Sequence, residues 1–189
     1  MTDAWCLPSC LTVEGKSYGI HADYRDVLDV IQCLNGKDEP EFIRWYVALS
    51  LFYKEEVPVC HRSAAMNAMA DFIACGQPQS CAPGPKLLDW QRDAAVIVAD
   101  VNRVAGQEVR ALPFLHWWTF IAYFNAIGEG QLSTLLRVRG KLRRGRKLEP
   151  WEMDYYRENR ALVDGREPPT VQEQQEKARL ERILAGKEP

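Results

Sequence analysis

Two adjacent tryptophans beside a histidine, in Leu115-His116-Trp117-Trp118-x-Phe120, constrain this chain more than any other feature. The surrounding stretch, from about Pro113 to Gly128, carries no charged side chain. A helix built from it has no clean solvent face and must be covered by other helices or by a partner. Upstream, Leu88-Asp89-Trp90-x-x-Asp93-Ala94 opens a second helical pattern. Asp89 is an N-cap candidate, Asp93 in the first turn suits the helix dipole, and Trp90, Ala94, Ile97, Val101 and Val104 follow the helical period to a stop at Gly106. An unpaired buried indole N–H costs roughly 1–3 kcal/mol. Asp89 or Asp93 on the neighbouring helix is therefore the expected partner of His116 or of an indole N–H of Trp117 or Trp118.

The remaining pattern is mostly helical. Leu11-Thr12-Val13 and Tyr18-Gly19-Ile20 flank Glu14-Gly15-Lys16-Ser17 and read as a small hairpin that must pack on the helices. Tyr24, Val27, Leu28 and Ile31 mark a helix from about Asp23 to Asn35-Gly36. Asp38-x-x-Glu41 offers a capping box before an apolar face of Phe42, Trp45, Tyr46, Leu49, Phe52 and Tyr53. Pro58 reopens the chain, and a third helix carries Ala65, Met69, Phe72 and Ile73 to Cys75. Prolines and glycines make Gln77–Pro85 a loop. Beyond Gly130, Leu132, Leu135 and Leu136 lead into a basic run, Glu149-Pro150 starts a helix with Trp151 and Tyr155 on one side, and Thr170–Ala185 forms a weakly specified last helix. The expected fold is mostly α: a compact helical core domain of about five to six helices with the hairpin, residues 1–136, and a charged helical C-terminal extension, residues 137–189.

Charge narrows the function classes. The net charge of −2 argues against a general nucleic-acid binder. It conceals Arg137, Arg139, Lys141, Arg143, Arg144, Arg146 and Lys147, seven cations with no acid among them. Setting those aside leaves 17 basic residues against 26 acidic ones, a balance of −9. The run suits an acidic partner or the protein's own acidic body better than nucleic acid, because no aromatic residue is interleaved for base stacking. No stretch approaches the ~20 apolar residues that span a bilayer. Met1-Thr2-Asp3-Ala4 lacks the features of a signal peptide, so the six cysteines are expected as reduced thiols in a cytosolic setting.

Catalytic patterns are weak. His116 has the chemistry of a general base or metal ligand, but its apolar neighbours favour a core histidine hydrogen-bonded to a nearby helix. Cys60-His61 resembles a nucleophile–base pair only superficially, since adjacent residues on a helix point about 100° apart. Cys6-x-x-x-Cys10 and Cys75-x5-Cys81 do not have the spacing of a common zinc ribbon. No phosphate-binding glycine loop, Ser/His/Asp set or paired catalytic carboxylates stand out. No enzyme activity, cofactor or metal is expected.

Taken together, Leu7-Pro8, Val13-x-Gly15, Tyr18-x-Ile20, Asp23-Tyr24-Arg25, Leu88-Asp89-Trp90-x-x-Asp93-Ala94, Ile97 and Leu115-His116-Trp117-Trp118-x-Phe120 resemble the bacteriophage family called gene product fifteen. The likeness runs from about Leu7 to Arg139. Tyr24 stands where that family usually has phenylalanine and Trp90 where it has tyrosine. The resemblance implies a tail-morphogenesis protein encoded near the tape-measure gene, a tape-measure chaperone in the host bacterial cytoplasm, and it brings no catalytic residues. Its partner would be the tape-measure protein or another tail-assembly factor. The apolar faces of Phe42–Tyr53 and Phe114–Phe124 would supply a groove, and the seven cations would steer an acidic client segment. Two alternatives stay open: a minor structural component of the virion tail, and a polyanion- or DNA-binding accessory protein that uses the basic run.

Overall fold

The computed structural model describes residues 6–36, 39–76 and 87–165. The Gln77–Pro85 loop, the Thr170–Ala185 helix, Asp38 and Cys81 lie outside the described residues. The protein is mostly helical, with eight α-helices among the described residues and one two-stranded hairpin. It divides into two compact units: residues 6–36, 39–76 and 89–131 form the first, and residues 87–88 with 132–165 the second. The change of unit thus falls at 131/132, a few residues before the expected 136/137.

In the first unit, β1 (Cys10–Val13) pairs antiparallel with β2 (Lys16–Gly19), with Val13 opposite Lys16. Only Glu14 and Gly15 form the turn, at φ 49° and 78°. Both left-handed positions match the primed turn whose twist suits a tight hairpin. Alternation then sends Val13 and Tyr18 into the core. The chain past β2 keeps pairing: the Lys54 N–H donates to Gly19 O, and the His21 N–H donates to Phe52 O.

Helix α1 (Tyr24–Asn35) starts at Asp23, whose carboxylate accepts the Arg25 N–H at 3.0 Å. The same carboxylate accepts the Leu115 N–H at 2.9 Å, and the Arg25 guanidinium reaches the carbonyls of Arg110 and Leu112. Asp23-Tyr24-Arg25 is thereby a clasp joining α1 to the segment before the tryptophans. Helix α2 (Glu41–Phe52) begins after Pro40 with no side-chain cap, so Glu41 is its first residue and not the fourth position of a capping box. A 3₁₀ turn, Val59–His61, leads into α3 (Arg62–Ile73), which buries Ala65, Met69 and Phe72. Helix α4 spans Ala94–Ala105, ending at the left-handed Gly106, and α5 spans Trp117–Asn125. Helices α1 and α2 pack together, α3 covers α2 and β1, and α5 lies against α4 and α1.

Besides residues 87–88, the second unit holds α6 (Gln131–Arg143) from Leu132 onward, α7 (Pro150–Glu158) and α8 (Arg160–Asp164). Its core is Leu135, Val138, Leu148 and Val163, flanked by Tyr155, Tyr156 and Leu162. A reciprocal capping box between Glu149 and Glu152 starts α7 with Pro150 in the first turn. No helix among the described residues is long and apolar enough to cross a membrane.

Candidate partner-binding surface

The doubled tryptophans are consumed by the fold. Trp117 is 2 % exposed, and its indole N–H donates to Ile73 O at 2.9 Å. The Trp118 indole donates to Phe72 O, also at 2.9 Å. These acceptors belong to the last turn of α3, where helix geometry leaves carbonyls without intrahelical partners and the dipole is negative. The expected pairing with Asp89 or Asp93 is therefore corrected: each indole finishes the end of α3. The rings add stacking, Trp118 on Phe72 at 5.7 Å and Trp117 on Phe120 at 5.9 Å, with Tyr24 stacked on Phe120 at 4.6 Å. Trp90 meets Trp117 edge-on and Phe124 at 5.0 Å.

His116 is the N-cap of α5. Its Nδ1 accepts the Trp118 backbone N–H at 3.1 Å, which leaves the ring proton on Nε2, where it is donated to Pro8 O at 3.0 Å. A cleft of ≈ 410 Å³ reaches His116, with Leu7, His21, Asp26 and Phe114 among its lining. Both imidazole nitrogens are engaged with backbone, so neither faces a ligand there. Asp89 and Asp93 serve each other. Asp89 caps a separate turn by accepting the N–H groups of Gln91 and Arg92, and Asp93 Oδ2 accepts the Asp89 N–H at 3.0 Å. Helix α4 consequently starts at Ala94, later than the pattern from Asp89 predicts, and Asp93 is a fully buried N-cap residue.

The basic run divides in two. Arg139 is 4 % exposed and donates to Leu87 O, Leu162 O and Val163 O. Lys141 lies 2.6 Å from the Glu152 carboxylate. Burial works against the charge on Glu152, but Lys141 and the Glu149 N–H outweigh it and hold its carboxyl below the usual range. Arg137 lies over the Trp151 ring at 5.8 Å. Arg143, Arg144, Arg146 and Lys147 are exposed. The seven cations therefore do not form one binding patch, because two of them tie the second unit together.

Cys60 is exposed, while the neighbouring His61 shares a hydrogen bond of 2.8 Å with the Tyr18 hydroxyl. Cys10, Cys33, Cys60 and Cys75 are free thiols, and burial pushes the Cys75 thiol up. Among the described residues no group of three or more His, Cys, Asp or Glu is placed to hold a metal ion.

The surface left over is on α2. Ala48, Leu49 and Phe52 point inward, yet apolar side chains also stand out on both flanks of the helix: Phe42 is 73 % exposed and Tyr46 50 % on one, Leu51 42 % and Val47 38 % on the other. Beside it, Phe42, Trp45, Tyr46, Leu49 and Met66 line a groove of ≈ 810 Å³ between α2 and α3, with Glu41 and Arg62 also on its wall. Arg62 stacks over the Tyr46 ring at 5.1 Å. The expected second apolar face, Phe114–Phe124, is largely spent: Leu115, Trp117 and Phe120 are buried and Phe114 alone stands out, 57 % exposed. The spacing Phe42-Trp45-Tyr46-Leu49 flagged this helix, and the absence of any charge between Trp45 and Phe52 was the available signal that its outer side is apolar too. The chain matches no known protein family, no curated protein and no solved structure.

Proposed function

We propose that this protein is a phage or prophage tail-assembly factor that works by binding and not by catalysis, with the tape-measure protein as its client in the host bacterial cytoplasm. The observation that carries this reading is the apolar groove between α2 and α3, where the exposed Phe42 and Tyr46 stand beside Trp45, Leu49 and Met66. Contiguous exposed apolar surface of this kind suits an amphipathic client helix laid along it. The resemblance of the Leu-His-Trp-Trp-x-Phe and Asp-Trp-x-x-Asp-Ala elements to the gene product fifteen family supports the choice of client. A tape-measure protein is long and helical and needs its apolar stripes covered until the tail tube closes around it. With His116 and the indoles engaged by backbone, α2 supplies the grip.

Co-expression with the tape-measure protein of the same phage genome tests the reading. The wild-type chain should raise the client's solubility and co-purify with it, and Phe42→Glu with Tyr46→Glu should abolish both. A client equally soluble with and without the protein, and no complex, would overturn the assignment. Mass spectrometry of purified particles separates a released chaperone, absent from virions, from a retained tail component.

A further inference from the structure

We infer that the second unit carries a binding site for the phosphoryl group of a small phosphate monoester, built around Arg139, Arg143 and Arg160. The inference goes beyond the proposed function and does not depend on it. Helix spacing assembles the site. Arg139 and Arg143 stand four positions apart on α6, and Arg160 and Asp164 four apart on α8, so each pair shares one helix face. Together with Leu142 and Tyr156 they line a cavity of ≈ 460 Å³ within this unit. That volume falls in the range of sites that take small organic ligands.

The three guanidiniums are engaged to different degrees. Arg139 is buried and donates to Val163 O, Leu87 O and Leu162 O, so it gives the wall a fixed charge. Arg160 is anchored through Nε, 3.5 Å from Asp164 Oδ2, and its terminal nitrogens make no hydrogen bond among the described residues. The exposed Arg143 side chain makes neither an ion pair nor a hydrogen bond among the described residues. Asp164, which also accepts the Tyr156 hydroxyl at 3.1 Å, is the one acid on the wall. Three guanidiniums against one carboxylate leave two positive charges in excess, and a cleft lined by one sign of charge concentrates the opposite ion. A phosphoryl group matches that excess, with about two negative charges at neutral pH and three acceptor oxygens. Guanidinium forks donate to such oxygens in pairs. A carboxylate brings half the charge. Leu142, 38 % exposed, and the Tyr156 ring leave an apolar flank for the organic part of the ester.

Titration calorimetry of the purified chain with phenyl phosphate at low salt provides the test. The wild-type chain should give a saturable single-site isotherm, and inorganic phosphate should compete more weakly because it has no organic part to place beside Leu142. Arg143→Gln and Arg160→Gln should each weaken binding about tenfold or more, with helical content unchanged. Arg143→Gln is the decisive variant, since that side chain holds nothing else among the described residues in place. No histidine lines the cavity. Lowering the pH from about 7.5 to about 5.5 should therefore weaken binding through the phosphate itself, whose second pKa lies at about 6. Benzenesulfonate, a single negative charge at both pH values, should bind weakly and equally at the two. Absence of a saturable isotherm, affinity indifferent to Arg143→Gln, or phenyl phosphate binding that ignores pH would each overturn the inference. An oligonucleotide ending in a 5′-hydroxyl that competes as well as its 5′-phosphorylated form would overturn it too, by assigning the arginines to a polyanion backbone.

Discussion

The two units bury different chemistry. The first is filled with rings, and three of them place a polar atom on backbone: Tyr53 donates to Ala65 O at 2.9 Å, and the indoles of Trp117 and Trp118 to the end of α3. Its buried carboxylates, Asp23, Asp93 and Asp100, are each matched by an arginine no more than three positions away. In the second unit charge makes the long connections. Arg139 reaches Leu87, Leu162 and Val163, and Lys141 reaches Glu152, which is 1 % exposed. Four fully apolar residues make a small core. A unit of that size gains little from burial alone, so buried charge supplies the specificity of its packing.

Arg139→Met should produce the largest effect, about 3–5 kcal/mol, because three carbonyls lose a charged donor inside the unit. Hydrogen exchange should report it as lost protection centred on α8. If the variant keeps its protection, the contrast with the ring-filled unit fails. Trp117→Phe keeps a ring but removes a donor and part of its volume, and should cost about 2 kcal/mol in chemical denaturation. The same change at the more exposed Trp118 should cost less.

Opposite ends of the pH scale should separate the units further. Burial, with Tyr18 nearby, raises the Tyr53 phenol from 10.0 to about 12. The neutral phenol is favoured in the folded state, so its contribution is intact below pH 10 and disappears as pH rises toward 12. Tyr53→Phe should remove that alkaline loss. The lowered Glu152 works the other way: its contribution is present above the ordinary glutamate value and is lost as pH falls through the depressed one. Exchange measured across both limbs should find α2 and α3 opening at high pH and α7 at low pH. Asp89→Ala should give the smallest effect, about 1 kcal/mol, as the loss of a turn cap in the ring-filled unit.

What could be read from the sequence was what neighbouring residues decide among themselves. Glu14-Gly15, the Asp23 cap and the Gly36 stop are local, and the hairpin and α1 follow from them. The onset of α4 moved because Asp89 caps a turn of its own, an outcome that the same residue types allow equally well. The indole acceptors lie 44 and 46 residues upstream, and nothing in the local pattern marks a helix end as their partner. Likewise, composition displays the charge of Arg139 but not its burial, which depends on Leu87 and α8 coming together within one unit. The exposed side chains of α2 were half visible: one apolar stripe fits the helical period, while Val47 and Leu51 on the other flank gain meaning only once the structure leaves them exposed.

The central claim is that Trp117 and Trp118 are fixed in place as building elements. Exchange of the tryptophan indole protons, followed by ¹⁵N-resolved NMR, tests it most directly. The indole protons of Trp117 and Trp118 should exchange slowly, held against Ile73 O and Phe72 O, while that of the half-exposed Trp151 exchanges fast. Equally fast exchange at all three would contradict a scaffold role for the His-Trp-Trp element.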